Sequence, residues 1–148
     1  MGTLHDLSQS QSRALLSEGT VGRIAVIAPD GPHIIPVNYT LVDEAIIIRT
    51  SPYTVLATYG RDAVVALEVD AIDRATRSGW SVVARGRAEV VLDGREIQHI
   101  RQVGEPAPWA DGNRNLFLRL RLCELSGRRV GDPAPVSALR SREPEPVR

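Results

Sequence analysis

The sequence predicts a mainly β domain, with six strands in a small antiparallel barrel and a few short helices. Six runs are rich in β-branched and aliphatic residues, and turn residues separate them at the spacing of hairpins. One run, residues 115–125, alternates leucines with Phe117, Arg119, Arg121 and Cys123, which is the period of a strand. At 148 residues the chain suits a single domain that buries a core of its own.

A helix and a hairpin come first. Residues 6–18 carry leucines that share one helical face, with Asp6 or Ser8 available as N-cap and Gly19 as the stop. Beyond it the runs "TVGRIAVIA" and "HIIPVNYTLV" flank a turn-forming segment at residues 29–32. The two runs are therefore predicted to form a hairpin.

The remaining strands alternate with two short helices. "AIIIRT" is a strand after an acidic turn at residues 43–44, and "SPYTVLATYG" gives one or two helical turns that end at Gly60. "DAVVALEVDAI" and "GWSVVARGRAEVVL" are strongly β-prone, and "REIQHIRQVG" has isoleucines at helical spacing before a stop at Gly104. The barrel is expected to occupy residues 1–130, and the proline-rich, charged residues 131–148 are expected to be a disordered tail.

Composition excludes several classes of function. The 18 basic and 18 acidic residues give a formal net charge of zero, so we expect no general attraction to nucleic acid or to an anionic membrane. All 18 basic residues are arginine, which excludes a Walker-type lysine and every Schiff-base mechanism. No apolar run is long enough to span a membrane, the N-terminus lacks the apolar core of a signal peptide, and Cys123 is the single cysteine. We therefore expect a cytoplasmic protein.

A candidate phosphate site follows the third strand. Ser51 and Pro52 suit the start of a helix, where free N–H groups attract an anion. Arg49, Thr50, Ser51 and Thr54 add a guanidinium and three hydroxyl groups to this turn. On physical grounds alone, a plain capped turn is the simpler alternative.

Pro36 lies inside the second strand. Because proline has no N–H to donate, we expect this strand to be interrupted, bulged or at an edge there. The neighbouring backbone groups would then be available to a flat polar ring. Protection of an edge strand against aggregation is an equally good explanation.

Other candidate groups have simpler explanations. The three histidines are scattered without the spacing of metal ligands, so no metal site is predicted. Asp70 and Asp73 flank a turn, which favours solvated carboxylates over an acid–base pair. Trp80 follows Gly79 at the start of a long strand, where tryptophan is more often part of a core or an interface than a ring-stacking residue.

The order and spacing of several segments resemble the pyridoxamine 5′-phosphate oxidase-like family of FMN-binding split barrels, which are of Greek-key type. The segments are "LLSEGTVGRIAVI", "PHIIPVNY", "IIIRTSP", "ALEVDAID", "SGWSVVARGRAE" and, less closely, "PWADGNRN" and "SGRRV". They cover about residues 7–130. The chain is most similar to a short actinobacterial-type branch, which also resembles nitroimidazole-resistance proteins.

The resemblance implies a flavin site. In the family, the strand that matches residues 35–40 lies along the flavin, and the strand end at Arg49 with the turn after it holds the ribityl phosphate. The position that matches Ser81 reaches the polar edge of the flavin. Family members are homodimers with two flavins in clefts between subunits, so the resemblance allows Trp80, Trp109 or the C-terminal strand to come from the partner. The predicted cofactor-binding residues are Ile35, Pro36, Val37, Asn38, Tyr39, Thr40, Arg49, Thr50, Ser51, Thr54, Trp80 and Ser81.

Two departures from the family pattern affect the predicted function. The turn that grips the phosphate usually contains a lysine, whereas this chain has Thr54-Val55, which removes a charge-assisted contact worth about 1.5–3 kcal/mol. The C-terminal Trp and Arg pattern that holds pyridoxamine phosphate is also absent, which speaks against that activity.

The resemblance implies an FMN-dependent oxidoreductase that acts on an unidentified small molecule, with a deazaflavin (F420) as the alternative cofactor. A non-catalytic protein that binds or sequesters a flavin is the alternative function. An interaction-only barrel, with Arg119 and Arg121 facing an acidic partner, is a third possibility.

Overall fold

The computed structural model describes residues 2–107, 112, 115–122 and 124–131, and within them the chain forms eight strands and three helices. The strands are β1 (Leu4–Asp6), β2 (Val21–Ala28), β3 (Gly31–Val42), β4 (Ala45–Thr50), β5 (Val64–Asp73), β6 (Ser78–Val90), β7 (Leu116–Arg121) and β8 (Glu124–Val130). The helices are α1 (Gln9–Glu18), α2 (Val55–Tyr59) and α3 (Gly94–Gly104). None of the helices in the described ranges is long and apolar enough to cross a membrane.

Six strands close into a ring. Every neighbouring pair is antiparallel, and the ring runs β2–β3–β4–β7–β6–β5 and back to β2. These are the six runs that the sequence predicts, so the six-stranded antiparallel barrel is confirmed. Because β5 returns to pair with β2 after the β2–β3–β4 meander, the order is that of a Greek key.

The last predicted strand is two strands. Residues 115–125 were expected to be continuous, but β7 ends at Arg121 and β8 begins at Glu124. The reason lies in β6, whose final residues pair with β7 while its first part, from Gly79 to Arg85, has an edge that β8 fills. The predicted tail from residue 132 onward, Trp109 and Cys123 lie outside the described residues.

The N-terminal helix is shorter than predicted. Residues 4–6 pair with β8 as β1, and α1 begins only at Gln9. Ser8 is the N-cap, as one of the two predicted alternatives: its hydroxyl accepts the Gln11 N–H, and the Gln11 side chain accepts the Ser8 N–H. Satisfying both backbone donors fixes the start of the helix there.

The start of the second helix also moves. The sequence places it at Ser51-Pro52, but α2 begins at Val55 with Thr54 as N-cap, and the Thr54 hydroxyl accepts the Ala57 N–H at 3.1 Å. This correction follows from hydrogen bonding, because the Ser51 carbonyl accepts from Thr54 instead of starting a helix. The third helix agrees with the prediction, with Asp93 as its N-cap.

The core has two layers. The barrel interior contains aliphatic side chains from every ring strand together with Leu16 of α1 and Trp80 of β6. On the outside of the wall, α3 packs Ile100 against Ile47 of β4 and Phe117 of β7. β4 is therefore covered on both faces, which explains its continuous apolar sequence.

Tyr39 fastens α1 to the barrel. Its side chain is 1% exposed, and its hydroxyl donates to the Leu16 carbonyl at 2.5 Å. Burial raises the pKa of Tyr39 well above its ordinary value, so the phenol remains a donor at neutral pH. Gly19 packs directly against this hydroxyl, because a Cβ there would lie within van der Waals overlap of it.

Tyr39→Phe is expected to lower the free energy of unfolding by about 1 kcal/mol, since the buried hydrogen bond to the Leu16 carbonyl is lost. Urea unfolding monitored by circular dichroism measures this. Tyr53→Phe is the matched control, because the Tyr53 side chain is 98% exposed and its hydroxyl is not buried in the core. Equal stability of the two variants would contradict the role given to Tyr39.

Candidate functional site

The predicted site residues of β3 and β4 lie at or beside the point where the pairing of these two strands ends. β3 and β4 pair only between Tyr39 and Val42 on the β3 side, and then they diverge. Continued in the same register, the pairing would set Asn38 opposite Arg49 and Pro36 opposite Ser51. Residues 34–38 and 49–51 are not paired with each other, and we call this unpaired stretch of the two strands the β3–β4 gap.

Pro36 lies at the open edge of β3. The Tyr39 N–H donates to the Thr20 carbonyl at 3.0 Å, on the β2 side. Alternate residues of an antiparallel pair direct their backbone groups to the same side, so the nitrogen of Pro36 faces the gap. The predicted edge at Pro36 is confirmed, and the backbone groups of Ile34 and Asn38 face the same gap.

Several predicted side chains on β3 stabilise the fold instead of facing the gap. Val37 and Tyr39 are buried, and Ile35 packs against the core. The Thr40 hydroxyl donates to the Gly104 carbonyl at 2.5 Å, at the end of α3. A ligand in the gap therefore meets the backbone of these residues and not their side chains.

Arg49 is paired within the protein. Its guanidinium lies 2.9 Å from the Glu105 carboxylate and 5.9 Å from the centroid of the Phe117 ring. The side chains of Arg49 and Glu105 are 21% and 31% exposed, so solvent screens the pair incompletely. A phosphate in the gap would have to share Arg49 with this carboxylate, and no local sequence pattern indicates that pairing.

The hydroxyl groups of the turn bond to one another. Thr54 Oγ1 donates to the Ser51 carbonyl at 3.0 Å and lies 3.0 Å from Thr50 Oγ1, in addition to capping α2. Thr50 is buried. Thr54 therefore acts as a cap, which is the plain alternative stated for this turn. Val55, at the position where the family has lysine, is 38% exposed and leaves room for a longer side chain.

Trp80 and Ser81 lie on a different surface. β2 and β5 separate their strand, β6, from β3, so these two of the twelve predicted residues lie apart from the ten on β3, β4 and the turn that follows β4. The indole of Trp80 is 6% exposed and belongs to the core. Both residues line a groove of about 460 Å³, the Gly79 groove, whose lining residues are Leu4, Asp70, Ile72, Arg77, Ser78, Gly79, Trp80, Ser81, Arg128 and Val130.

A charged cluster between the two surfaces was not predicted. Arg23 Nη1 of β2 lies 3.3 Å from Asp70 Oδ1 and 3.8 Å from Glu68 Oε2, both on β5. Burial and the neighbouring Asp70 carboxyl raise the pKa of Glu68 to about 7, although Arg23 acts in the opposite direction. Only the register of β2 against β5 brings these residues together, and no short sequence signal reveals it.

Asp73 is not the solvated carboxylate that the sequence indicates. It is 9% exposed, and it accepts the N–H groups of Ala75 at 2.9 Å and Thr76 at 3.3 Å, which holds the β5–β6 turn. Since residues three apart on a strand point to opposite faces, Asp70 and Asp73 form no acid–base pair. Among the described residues no three His, Cys, Asp or Glu side chains cluster as metal ligands.

Comparison with known proteins places this geometry in a family. The family model for pyridoxamine 5′-phosphate oxidase matches residues 8–129. The chain belongs to the pyridoxamine 5′-phosphate oxidase-like family. The uncharacterized protein Rv0080 of Mycobacterium tuberculosis is 33% identical over 106 residues, which are 68% of this chain and 70% of that protein.

Solved structures share the fold. The FAD binding protein from Mycobacterium smegmatis is 27% identical with a TM-score of 0.73, and the match covers 84% of this chain and 97% of that one. A conserved protein of unknown function from Corynebacterium diphtheriae, DIP1874, is 32% identical with a TM-score of 0.70 and coverage of 86% and 98%. The resemblance found in the sequence and the split-barrel fold are both confirmed.

The raised pKa of Glu68 predicts a pH-dependent stability. Between the ordinary carboxyl value of 4.5 and about 7, the folded protein keeps a proton that the unfolded chain has lost. The contribution of Glu68 is therefore complete below 4.5, is lost as the pH rises through about 7, and is constant above that.

Glu68→Gln should therefore show a smaller fall in the free energy of unfolding between pH 5 and pH 8 than the wild type. Chemical denaturation at the two pH values measures it. Glu124→Gln serves as control, because Glu124 is an exposed carboxylate at the end of β8. An unchanged fall in the Glu68 variant would show that this carboxyl titrates normally.

Proposed function

We propose that this chain binds a flavin in the β3–β4 gap and acts as a flavin-dependent oxidoreductase on a small substrate. The observation that carries the proposal is the unpaired edge of β3, where the backbone groups of Ile34 and Asn38 face the gap beside Pro36. The pyrimidine edge of an oxidised isoalloxazine ring places one N–H donor between two carbonyl acceptors, which backbone C=O and N–H groups can match. Family membership and the FAD-binding relative support the same conclusion.

The chain's own residues would position the flavin. The β3 backbone binds the ring edge, the turn at residues 50–54 lies at one end of the gap, and α3 with Phe117 closes the outer side of β4. A bound flavin supplies hydride and electron transfer, so the protein needs no catalytic dyad of its own. In this proposal Ser81 reaches the polar edge of a flavin, as the family resemblance implies.

The proposed cofactor is FMN, with FAD and F420 as alternatives that direct titration separates. The fit at the phosphate end is incomplete, because Glu105 occupies Arg49 and Val55 replaces the family's lysine. Mass spectrometry of the molecule that co-purifies with the protein identifies the cofactor directly. Protein that carries no flavin and binds none at micromolar concentration would contradict the proposal.

Three substitutions test the phosphate end. Arg49→Ala should weaken FMN by about 1.5–3 kcal/mol, because the cation is lost while Glu105 remains. Glu105→Gln should tighten FMN, since it removes the carboxylate that competes with the phosphate for Arg49, and Val55→Lys should tighten it by restoring the cation. Flavin fluorescence titration measures all three.

Riboflavin is the control ligand, because it has no phosphate. It should bind each of the three variants as it binds the wild type. If Arg49→Ala weakened FMN and riboflavin alike, and the other two changes affected neither, the phosphate would lie outside this turn.

A non-catalytic flavin carrier is the second candidate. The Arg49–Glu105 pair favours it, because a neutralised arginine holds a phosphate less firmly than the family's basic turn. Reduction by NAD(P)H or dithionite followed by reoxidation with an added acceptor distinguishes the two functions. A flavin that is bound but does not turn over identifies the carrier.

We further propose a homodimer with the flavin between subunits. The outer face of the β2–β3 hairpin exposes Ile27 by 76% and Ile34 by 74%, beside the gap. Such an apolar face is typical of an interface. The separation of the gap from Ser81 within one chain is also consistent with a site completed by two copies.

Ile34→Glu is expected to shift the protein toward monomer, because a charge would be buried in the proposed interface. Sedimentation analysis gives the mass. Leu92→Glu is the matched control, since Leu92 is 80% exposed and follows β6 away from this face. A wild type that sediments as a monomer, or an equal effect of both substitutions, would refute the interface.

A further inference from the structure

The Gly79 groove has the size and apolar wall of a small-molecule site. Its volume of about 460 Å³ is typical of ligand pockets. Leu4 and Ile72 are 56% and 67% exposed there, and Val130 lies beside them. The strand register sets Gly79 between Ile72 on β5 and Val130 on β8, and glycine is needed there because a Cβ would lie 2.6 Å from the Ala71 carbonyl oxygen.

Two arginines line this groove with little internal neutralisation. The nearest carboxylate oxygen to Arg128 in an ion pair is Asp6 Oδ1 at 3.8 Å, and Asp6 is itself 89% exposed. Exposed pairs of this kind contribute little. Arg77 has no ion pair with any described residue, and the one carboxylate of the groove, Asp70, is paired with Arg23 at 3.3 Å.

The position of Arg77 is fixed by its turn. Arg77 has a φ of +52°, a left-handed conformation that favours glycine or asparagine over arginine. Asp73 holds the preceding residues through two N–H groups, and the hydroxyls of Thr76 and Ser78 lie 2.6 Å apart. The turn thus fixes the backbone position from which the exposed Arg77 side chain lines the groove.

We propose that the Gly79 groove binds a small molecule with one carboxylate and an apolar or aromatic body. Arginine fits a carboxylate through parallel hydrogen bonds, and the apolar body covers Leu4, Ile72 and Val130. Ser81, which is proposed to reach the polar edge of the flavin, also lines this groove. In the proposed dimer, molecules of this class are therefore the substrates that the flavin oxidises or reduces. That role rests on the proposed function, whereas the binding itself does not.

The test is an amide NMR titration of the flavin-free full chain with benzoate, and with benzamide as its neutral isostere. Benzoate should shift the Gly79, Ser81 and Val130 amides, and benzamide should bind at least about fivefold more weakly. The double variant Arg77→Gln/Arg128→Gln should weaken benzoate about tenfold. Arg95→Gln on α3 is the matched control and should leave the affinity for benzoate unchanged. If the double variant does not fold, the two single variants and the comparison of benzoate with benzamide still test whether the arginines bind the carboxylate.

Several outcomes overturn the inference. Equal binding of benzoate and benzamide would show that the arginines are not used, and inorganic phosphate acting as strongly as benzoate would show a plain anion site. Displacement of benzoate by riboflavin would assign the groove to the flavin, which supports the proposed function but not this inference. Shifts of the same amides with protein concentration alone would place a second copy there. Conversely, benzoate binding by a protein that binds no flavin would support the groove and contradict the proposed function.

Discussion

The missing backbone N–H of Pro36 limits how far β4 can pair along β3. In the register that β3 and β4 share, Pro36 would face Ser51, and Pro52 follows at once. Pro36 cannot donate to a ladder, so continued pairing would lose its donor to Ser51, whereas Pro52, opposite Ile35, would direct its nitrogen away from β3. The strands diverge instead, and β3 continues along β2 to its start at Gly31. The ring is completed on the far side, where β7 joins β4 to β6.

This divergence determines what surrounds the gap. Because β4 stays paired with β7 as far as Thr50, Phe117 lies opposite Arg49 and beneath the end of α3. The chain leaving α3 then brings Glu105 to the guanidinium. The helix that covers β4 therefore also neutralises the charge that the strand end presents. One packing arrangement accounts for both the buried second core layer and the electrostatics of the candidate site.

The sequence predicted what depends on local pattern. Period-two runs and turn residues located all six ring strands, and the isoleucines and Gly104 located α3. Local signals failed where two residues can cap the same helix. Ser51-Pro52 resembles a helix start, but Thr54, three residues after Ser51, is the N-cap. The sequence places Asp6 in the first turn of a helix, but with residues 4 and 5 it pairs along the edge of β8. The Arg49–Glu105 and Arg23–Asp70 pairs join residues far apart in sequence, and only the tertiary fold determines them.

The two candidate surfaces differ in how their charges are compensated, and this difference assigns them different ligands. At the gap, the guanidinium of Arg49 already has a carboxylate at 2.9 Å, so a ligand there gains most from backbone groups and ring contacts. At the Gly79 groove, Arg128 has only a distant, exposed partner, so a ligand with a negative charge gains more. A flat, polar ring suits the first surface, and an anion with an apolar body suits the second. Within one chain the ring strands β2 and β5 separate the gap from the groove on one side, and β7 separates them on the other.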